Sequence, residues 1–153
     1  MTTRSYAYER WDVFTAHVFG GNPLAIVPDA RGLDDATMQA LTRAFNLSDT
    51  AFVLPRGRAE ARARYFTPAW ELPMAGHPTI GTTFALDARG VFGGDRGRLE
   101  LDAGRGPVEV LSRQGVEEER PSEIHLRIRW EGGDPAVEVG GGAVRVARGV
   151  LEL

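Results

Sequence analysis

The sequence predicts an α+β fold in which a curved, mostly antiparallel sheet or barrel surrounds a buried central helix. The 19 glycines and 9 prolines divide its 153 residues into many short segments, which favours strands joined by turns. Two segments have a helical pattern, whereas about ten are strand-like, and one of the two helices is apolar on most sides. With 42% hydrophobic residues, the chain can bury the core of a single domain.

The first half of the chain predicts strands on either side of an amphipathic helix. Met38, Leu41 and Phe45 recur at spacings of three and four, and acidic residues occupy the first turn, so a helix is predicted over 34–45. The apolar run over 24–27 is typical of a buried strand. The other predicted elements are strands over 6–14, 51–54 and 61–66 and a turn over 20–23.

The second half predicts one buried helix followed by strands. His77, Pro78 and Thr79 open this helix, with proline at its first position and Gly90 just past its end, where each residue type is favoured. The helix body over 80–86 is small and apolar on most sides, which indicates burial. Strands are predicted over 98–102, 108–111, 124–130, 136–139, 143–147 and 150–153.

Composition excludes several classes of chemistry. The chain has no Cys, and all 18 of its basic residues are Arg, which excludes disulfides, thiolate metal sites, cysteine nucleophiles and lysine Schiff bases. The net charge of -3 is spread along the chain without a basic patch, which argues against nucleic-acid binding. Because no apolar run could span a bilayer and the N-terminus is polar, we expect a cytoplasmic protein without membrane contact.

Four stretches of the chain form ordered motifs. They are 12–15 with 19–25, then 46–53, then 66–82, and finally 120–124 with 139–144 and Gly149. The third, which contains Gly76-His77-Pro78-Thr79, is the longest and the most specific. Together these stretches resemble the PhzF-like isomerases of phenazine biosynthesis, a family with the diaminopimelate-epimerase-like fold.

The resemblance also implies how the chain is organised. Members of the family have two similar lobes with the active site in the cleft between them. Here 1–153 is interpreted as a single lobe, in which 1–111 resembles the family's N-terminal lobe, 112–120 is a polar junction, and 121–153 resembles the family's C-terminal end. Most of the second lobe, including the motif that supplies the second active-site acid, has no counterpart in this sequence.

By resemblance, Asp49 occupies the position of the family's catalytic Glu, which moves a proton between carbon atoms without a cofactor or a metal. A base for a carbon acid must lie close to the substrate and be partly desolvated. Aspartate is one methylene shorter than glutamate, and an error of about 1 Å can cost on the order of a hundredfold in rate. The alternative is that Asp49 is a turn residue at the junction of a helix and a strand.

The stretch Gly76-His77-Pro78-Thr79 is the predicted substrate-binding loop. A glycine allows close approach of a ligand to the backbone, and a helix N-terminus attracts an anion, so a substrate carboxylate would fit here. The alternative is a helix cap with His77 hydrogen-bonded locally. Asn22 belongs to the Gly-Asn-Pro turn that borders the family's cleft, and it is equally well interpreted as a structural residue of a tight turn.

Other residues that could carry chemistry are given structural interpretations. His17 and His125 match no catalytic position of the family, and we expect them on the polar surface. Glu71 stands in the third motif, where a structural role is favoured over a catalytic one. Trp11, Trp70 and Trp130 are spread along the chain without basic residues between them, which favours packing in the core or at an interface.

Two functions remain open from the sequence. The first is an isomerase or epimerase that transfers a proton on a small carboxylic acid, with a cleft formed in a homodimer so that each cleft holds two copies of Asp49 and of the Gly76-His77 loop. The second is an inactive one-lobe remnant that serves as a small-molecule-binding or interaction module. The resemblance identifies no substrate, and it does not imply a role in phenazine synthesis.

Overall fold

The computed structural model describes residues 3–55, 61–73, 75–90, 108–114, 119–120, 122–131 and 134–153. These residues form nine strands and two helices. In chain order they are β1 (Ser5–Val13), β2 (Asn22–Val27), α1 (Asp35–Phe45), β3 (Asp49–Pro55), β4 (Ala61–Phe66), β5 (Glu71–Leu72), α2 (His77–Asp87), β6 (Val108–Gln114), β7 (Ser122–Glu131), β8 (Asp134–Gly140) and β9 (Ala143–Glu152). The strand predicted over 98–102 lies outside the described residues.

The strands form two sheets. A six-stranded sheet has the order β5-β4-β3-β2-β1-β9, and a three-stranded sheet has the order β6-β7-β8. The pair β2–β3 is parallel, because α1 carries the chain back to the starting end of the sheet, and the other pairs are antiparallel. The α+β class and the mostly antiparallel sheet are therefore confirmed.

The two helices lie on opposite faces of the six-stranded sheet. Around α1, the buried apolar residues are Tyr6, Val27, Ala30, Met38, Leu41, Phe52 and Phe66. Around α2, they are Trp11, Val13, Phe14, Leu24, Ile26, Ala51, Val53, Ala85 and Leu86. Alternate residues of β2 and β3 fall in the two clusters, as expected for strands buried on both faces.

The described strands do not confirm the expected barrel around a central helix. Their six-stranded sheet is open, with β5 and β9 at its two edges. Helix α2 packs one side against this sheet, whereas Phe84 on its outer side is 39% exposed. Complete enclosure of α2 stays a prediction.

Local capping fixes the ends of α1. The Asp34 side chain accepts a hydrogen bond of 2.7 Å from the backbone N–H of Thr37, which satisfies a donor at the helix N-terminus. At the other end, Asn46 has a left-handed conformation with φ of 52°, and its N–H donates to the Thr42 carbonyl. The helix predicted over 34–45 is confirmed over Asp35–Phe45, with Asp34 as its N-cap.

The C-terminal strand differs from its prediction. One continuous strand, β9, replaces the two strands predicted over 143–147 and 150–153, and it pairs with β1 from Ser5 to Val13. Gly149 falls in the predicted gap, yet it is needed inside the strand, because a Cβ atom there would lie 2.5 Å from the Tyr8 ring. The glycine therefore marks close packing and not a strand end.

The strand predicted over 108–111 extends into the stretch 112–120, which stays a predicted junction. Strand β6 continues through Leu111 to Gln114, which pairs with Ser122 at the start of β7. Residues 112–114 are strand because β7 supplies their hydrogen-bonding partners, a long-range pairing that the polar local sequence does not reveal. Residues 115–118 of the same stretch lie outside the described part of the chain.

Candidate functional site

Three elements begin at the same end of the six-stranded sheet. Strands β2 and β3 are parallel, with Leu24 opposite Asp49, so the turn that contains Asn22 lies at the end where β3 begins. Helix α2 begins at His77, whose Nε2 lies 3.5 Å from Oδ2 of Asp49. The fold thus brings together three predicted site residues from separate motifs of the sequence.

Asp49 is buried at the first position of β3. Strand alternation puts its side chain on the same face as Ala51 and Val53, which belong to the core beneath α2. This face carries the carboxylate towards the N-terminus of α2. The structure therefore gives Asp49 the partly desolvated surroundings that proton abstraction from carbon requires.

The side chain of His77 is 15% exposed, and burial governs its charge. Burial lowers the pKa of His77 below 6.5, and the charge of Asp49 and a backbone hydrogen bond to Pro23 oppose this shift without cancelling it. The ring is therefore neutral at pH 7. Its Nε2 has no hydrogen-bond partner among the described residues, so the 3.5 Å approach to Asp49 is a close contact and becomes an ion pair only on protonation.

Helix α2 begins after an exposed glycine, Gly76. The N–H groups of Thr79 and Ile80 donate to the Gly76 carbonyl at 3.1 and 3.3 Å, so those of Gly76 and His77 lie ahead of the helical hydrogen bonds. Gly76 has a φ of -79°, and a Cβ atom there would meet no atom of the described residues within 4 Å. Neither conformation nor crowding by those residues therefore requires glycine at this position.

The remaining predicted loop residues support the helix start. Pro78 is buried in the first turn of α2, and the Thr79 hydroxyl donates to the Ala75 carbonyl at 2.5 Å.

Asn22 is half-buried, and its side-chain oxygen accepts a 3.5 Å hydrogen bond from the hydroxyl of Ser122. The structure thus places Asn22 at the same end of the sheet as Asp49 and directs its amide oxygen to β7.

Sequence reasoning missed Tyr65, which lies opposite Ala51 on the α2 face of the sheet. Burial raises the pKa of Tyr65, and a hydrogen bond with Thr79 opposes the shift. The period-2 alternation of β4 could have indicated this inward orientation. The sequence also did not indicate the buried Asp12 and its partner Arg120 as site residues, although both belong to motifs that carry the resemblance.

Glu71 has a structural partner. Arg64 donates to its two carboxylate oxygens at 2.7 and 2.6 Å and to Asp35 of α1 at 2.6 Å. Arg64 lowers the pKa of Glu71, which keeps the pair charged.

A groove of about 400 Å³ runs beside this cluster along β4 and β5. Arg62, Tyr65 and Pro73 are among its lining residues, whereas Asp49 and His77 are not.

The tryptophans and the other histidines have mixed surroundings. Trp11 is buried, and its Nε1 donates to Glu9 at 2.7 Å. Trp70 is exposed, as are His17 and His125, whereas the side chain of Trp130 lies outside the described part of the chain.

Across the described ranges, no three His, Asp or Glu side chains are grouped to hold a metal ion. The helices of those ranges are all too short or too polar to cross a membrane.

Comparison with known sequences finds a matching family model and related proteins. The family model PhzC-PhzF, described as phenazine biosynthesis-like protein, matches residues 11–119. An uncharacterized isomerase of Mesorhizobium japonicum is 48% identical over 111 residues, which are 71% of this chain and 35% of that protein. The trans-2,3-dihydro-3-hydroxyanthranilate isomerase of Pseudomonas aeruginosa is 43% identical over 105 residues, which are 67% of this chain and 36% of that protein. The chain thus spans about a third of the length of these relatives.

Solved structures resemble the fold as well. A predicted epimerase from Pseudomonas aeruginosa has a TM-score of 0.53 and 30% identity, with coverage of 88% of this chain and 42% of that chain. A PhzF-family phenazine biosynthesis protein from Enterococcus faecalis has a TM-score of 0.70 and 17% identity, with coverage of 98% of this chain and 100% of that chain. The second likeness concerns the fold alone, and it extends over the whole of that solved chain.

Proposed function

The chain belongs to the PhzC-PhzF family of phenazine biosynthesis-like proteins, and on that premise we propose that it is an isomerase of the proton-transfer type. Its substrate is a small carboxylic acid, and the reaction uses no cofactor. The names of the relatives support the reaction class. The observation that carries the proposal is the meeting of Asp49 and neutral His77 at the open N-terminus of α2.

The proposed reaction begins at the carboxylate of Asp49. This group removes a proton from a carbon atom of the substrate, and the electron pair of the broken C–H bond moves into the adjacent conjugated system. A proton is then delivered to a different carbon, so the bond order shifts while the composition is unchanged. Because carbon acids are weak, the developing negative charge must be stabilised by nearby hydrogen-bond donors.

The start of α2 supplies such donors. The N–H groups of Gly76 and His77 and the positive end of the helix dipole attract the substrate carboxylate. The single N–H of the neutral His77 ring is directed to the backbone of Pro23, and the uncharged ring leaves Asp49 as the charged group of the pair. The open space in front of Gly76 supports this role, since a ligand there would approach the backbone closely.

A second copy of the chain completes the proposed cleft. Val18, Phe19 and Trp70 are large, exposed apolar residues in loops at the same end of the sheet as Asp49. Exposed apolar patches of this kind are typical of interaction surfaces. Pairing about a twofold axis would bring two copies of Asp49 to one cleft, so that one acts as the base and the other as the acid.

The test is deuterium incorporation from D₂O into trans-2,3-dihydro-3-hydroxyanthranilate, followed by mass spectrometry. This compound is chosen because the Pseudomonas aeruginosa relative is named for its isomerisation. We expect labelling by the wild-type protein and a loss of about a hundredfold or more in Asp49→Asn, in line with removal of a general base. The matched control is Asp87→Asn, which alters an exposed carboxylate at the far end of α2. Equal labelling in both variants would contradict the proposal.

The alternative function is a binding module that does not catalyse. One observation favours it: among the described residues, Asp49 is the carboxylate in contact with His77, and the family's second acid has no counterpart in the sequence. This alternative predicts calorimetric binding of the same compound, weakened in Gly76→Ala, without any deuterium incorporation. Labelling that depends on Asp49 would exclude it.

A further inference from the structure

A fully buried carboxylate lies beside the site at the end of β1. The carboxylate is that of Asp12, and its Oδ2 accepts a 2.6 Å hydrogen bond from the backbone N–H of Phe19. Its Oδ1 accepts a 2.7 Å hydrogen bond from Nη2 of Arg120. A buried carboxylate persists when it is paired and hydrogen-bonded, and these two contacts meet both needs.

The same guanidinium also holds a turn. Nε of Arg120 donates to the Gly21 carbonyl at 3.1 Å, and Nη2 donates to the Gly20 carbonyl at 2.9 Å. Because guanidinium is planar and its donors are fixed in a fork, one side chain can bond three acceptors in a defined geometry. A residue 108 positions away from Asp12 thus ties the end of β1 to the turn that precedes Asn22.

The backbone of this loop requires external support. Phe14 and Phe19 have φ values of 65° and 66°, a left-handed conformation that is costly for aromatic residues. Gly21 has a φ of 57°, and a Cβ atom there would lie 2.2 Å from the Val13 carbonyl. A strained loop keeps one conformation only where surrounding contacts determine it, and Arg120 makes three such contacts.

The turn leads directly to the histidine of the site. Pro23 follows Asn22 at the start of β2, and its backbone is hydrogen-bonded to the His77 ring. Proline has no N–H, so its carbonyl accepts and a ring nitrogen donates. The nitrogen that donates must carry the hydrogen of the neutral ring, which selects one tautomer.

We propose that Arg120 is a positioning residue which, together with Asp12, fixes the Gly20-Gly21 turn and through Pro23 orients the ring of His77. The inference rests on the proposed function only in taking His77 to be part of the site. A second buried carboxylate supplies the comparison: Arg89 donates to Glu9 at 3.1 and 2.8 Å, away from this turn.

The experiment compares Arg120→Lys with Arg89→Lys in the full chain by NMR at pH 7. A lysine ammonium keeps the charge but cannot reproduce the three-acceptor fork. In Arg120→Lys we expect hydrogen exchange of the Phe19 amide at least about tenfold faster, and ¹⁵N shifts of the His77 ring that show both tautomers. In Arg89→Lys we expect the wild-type exchange rate and the wild-type tautomer.

The tautomer readout separates positioning from a merely structural role. If the Phe19 amide exchanges faster in Arg120→Lys while the His77 tautomer stays that of the wild type, the pair only braces the loop and the proposal is wrong. Should Arg120→Lys not fold, Asp12→Asn is measured with the same expectation and the same overturning result. No substrate enters these spectra, so failure of the isomerase proposal would leave this test intact.

Discussion

At the residue scale, the meaning of the 3.5 Å contact between Asp49 and His77 is decided by burial. A charged ring would form an ion pair with the carboxylate. Burial of the charged ring, however, costs more free energy than the ion pair supplies, so the pKa of His77 falls below 6.5. The site at neutral pH is therefore a carboxylate next to a neutral hydrogen-bonding ring. Such a pair suits proton abstraction better than two fully compensated charges would.

This lowered pKa predicts a dependence of stability on pH. The unfolded chain binds a proton at His77 near pH 6.5, whereas the folded chain binds it only at lower pH. The free energy of unfolding should therefore be constant above pH 6.5 with respect to this group. It should decrease as the pH falls from 6.5 towards the folded pKa, by at most about 1.4 kcal/mol per pH unit. Urea denaturation at several pH values measures it, and His77→Gln should remove this component.

Substitution of Asp49 tests how far its charge raises the pKa of His77. The charge of Asp49 raises the pKa of His77 within the folded protein, so Asp49→Asn should lower that pKa further. The measurement is an NMR titration of the His77 ring, with Asp87→Asn as the control that leaves the titration unchanged. A higher pKa in Asp49→Asn would mean that the two side chains do not interact as the 3.5 Å contact implies.

At the element scale, α2 owes its position to contact with the sheet at a glycine. Gly81 faces β1 and β2, and a Cβ atom there would lie 2.7 Å from Leu24 Cδ2 and 2.7 Å from Val13 Cγ2. Both of these side chains are fully buried, so neither has room to move aside. The glycine is therefore a packing requirement, and it sets how closely the helix that carries His77 approaches β1 and β2.

Gly81→Ala should consequently destabilise the fold. Alanine is the better helix former by up to about 1 kcal/mol, but forcing a methyl group into a packed contact costs typically about 1–3 kcal/mol, and we expect the second effect to dominate. Thermal or urea unfolding measures the difference. The matched control is Gly76→Ala at the open tip of the same helix, which should leave the unfolding free energy nearly unchanged. A stabilised Gly81→Ala would show that α2 does not pack this closely.

At the scale of the whole molecule, three exposed apolar side chains lie at the end of the sheet that carries the site. Those of Phe19 and Trp70 are 65% and 64% exposed, and Val18 is 49% exposed beside Phe19. The start of β9 lies at this end as well, because Ala143 pairs with Val13 at the end of β1. Contact between two copies here would cover the apolar residues and enclose the site together.

A charged residue introduced at this apolar surface should therefore dissociate the proposed dimer. We expect Phe19→Asp and Trp70→Asp to shift sedimentation at micromolar concentration from dimer to monomer, because an unpaired charge is costly to bury at an interface. Val150→Asp is the control, since Val150 is 62% exposed and pairs with Ala7 towards the opposite end of β1. A wild-type monomer at this concentration would contradict the dimeric cleft.

Local patterns in the sequence determined both helices and several of the strands. The spacing of Met38, Leu41 and Phe45 and the acidic first turn predicted α1, and Pro78 predicted the start of α2, because helix ends and helix faces depend on neighbours within one or two turns. The motifs also indicated Asp49 and His77 as site residues, and the fold brings both to one end of the sheet.

Tertiary structure alone decided the contacts between distant segments. The sequence contained no local sign that Arg120 reaches Asp12, that β9 borders β1, or that residues 112–114 extend β6, because each depends on groups far apart along the chain. The same holds for the charge state of His77, which follows from burial rather than from residue type. Periodicity and caps are short-range effects, whereas pairing, burial and charge compensation exist only once the chain has folded.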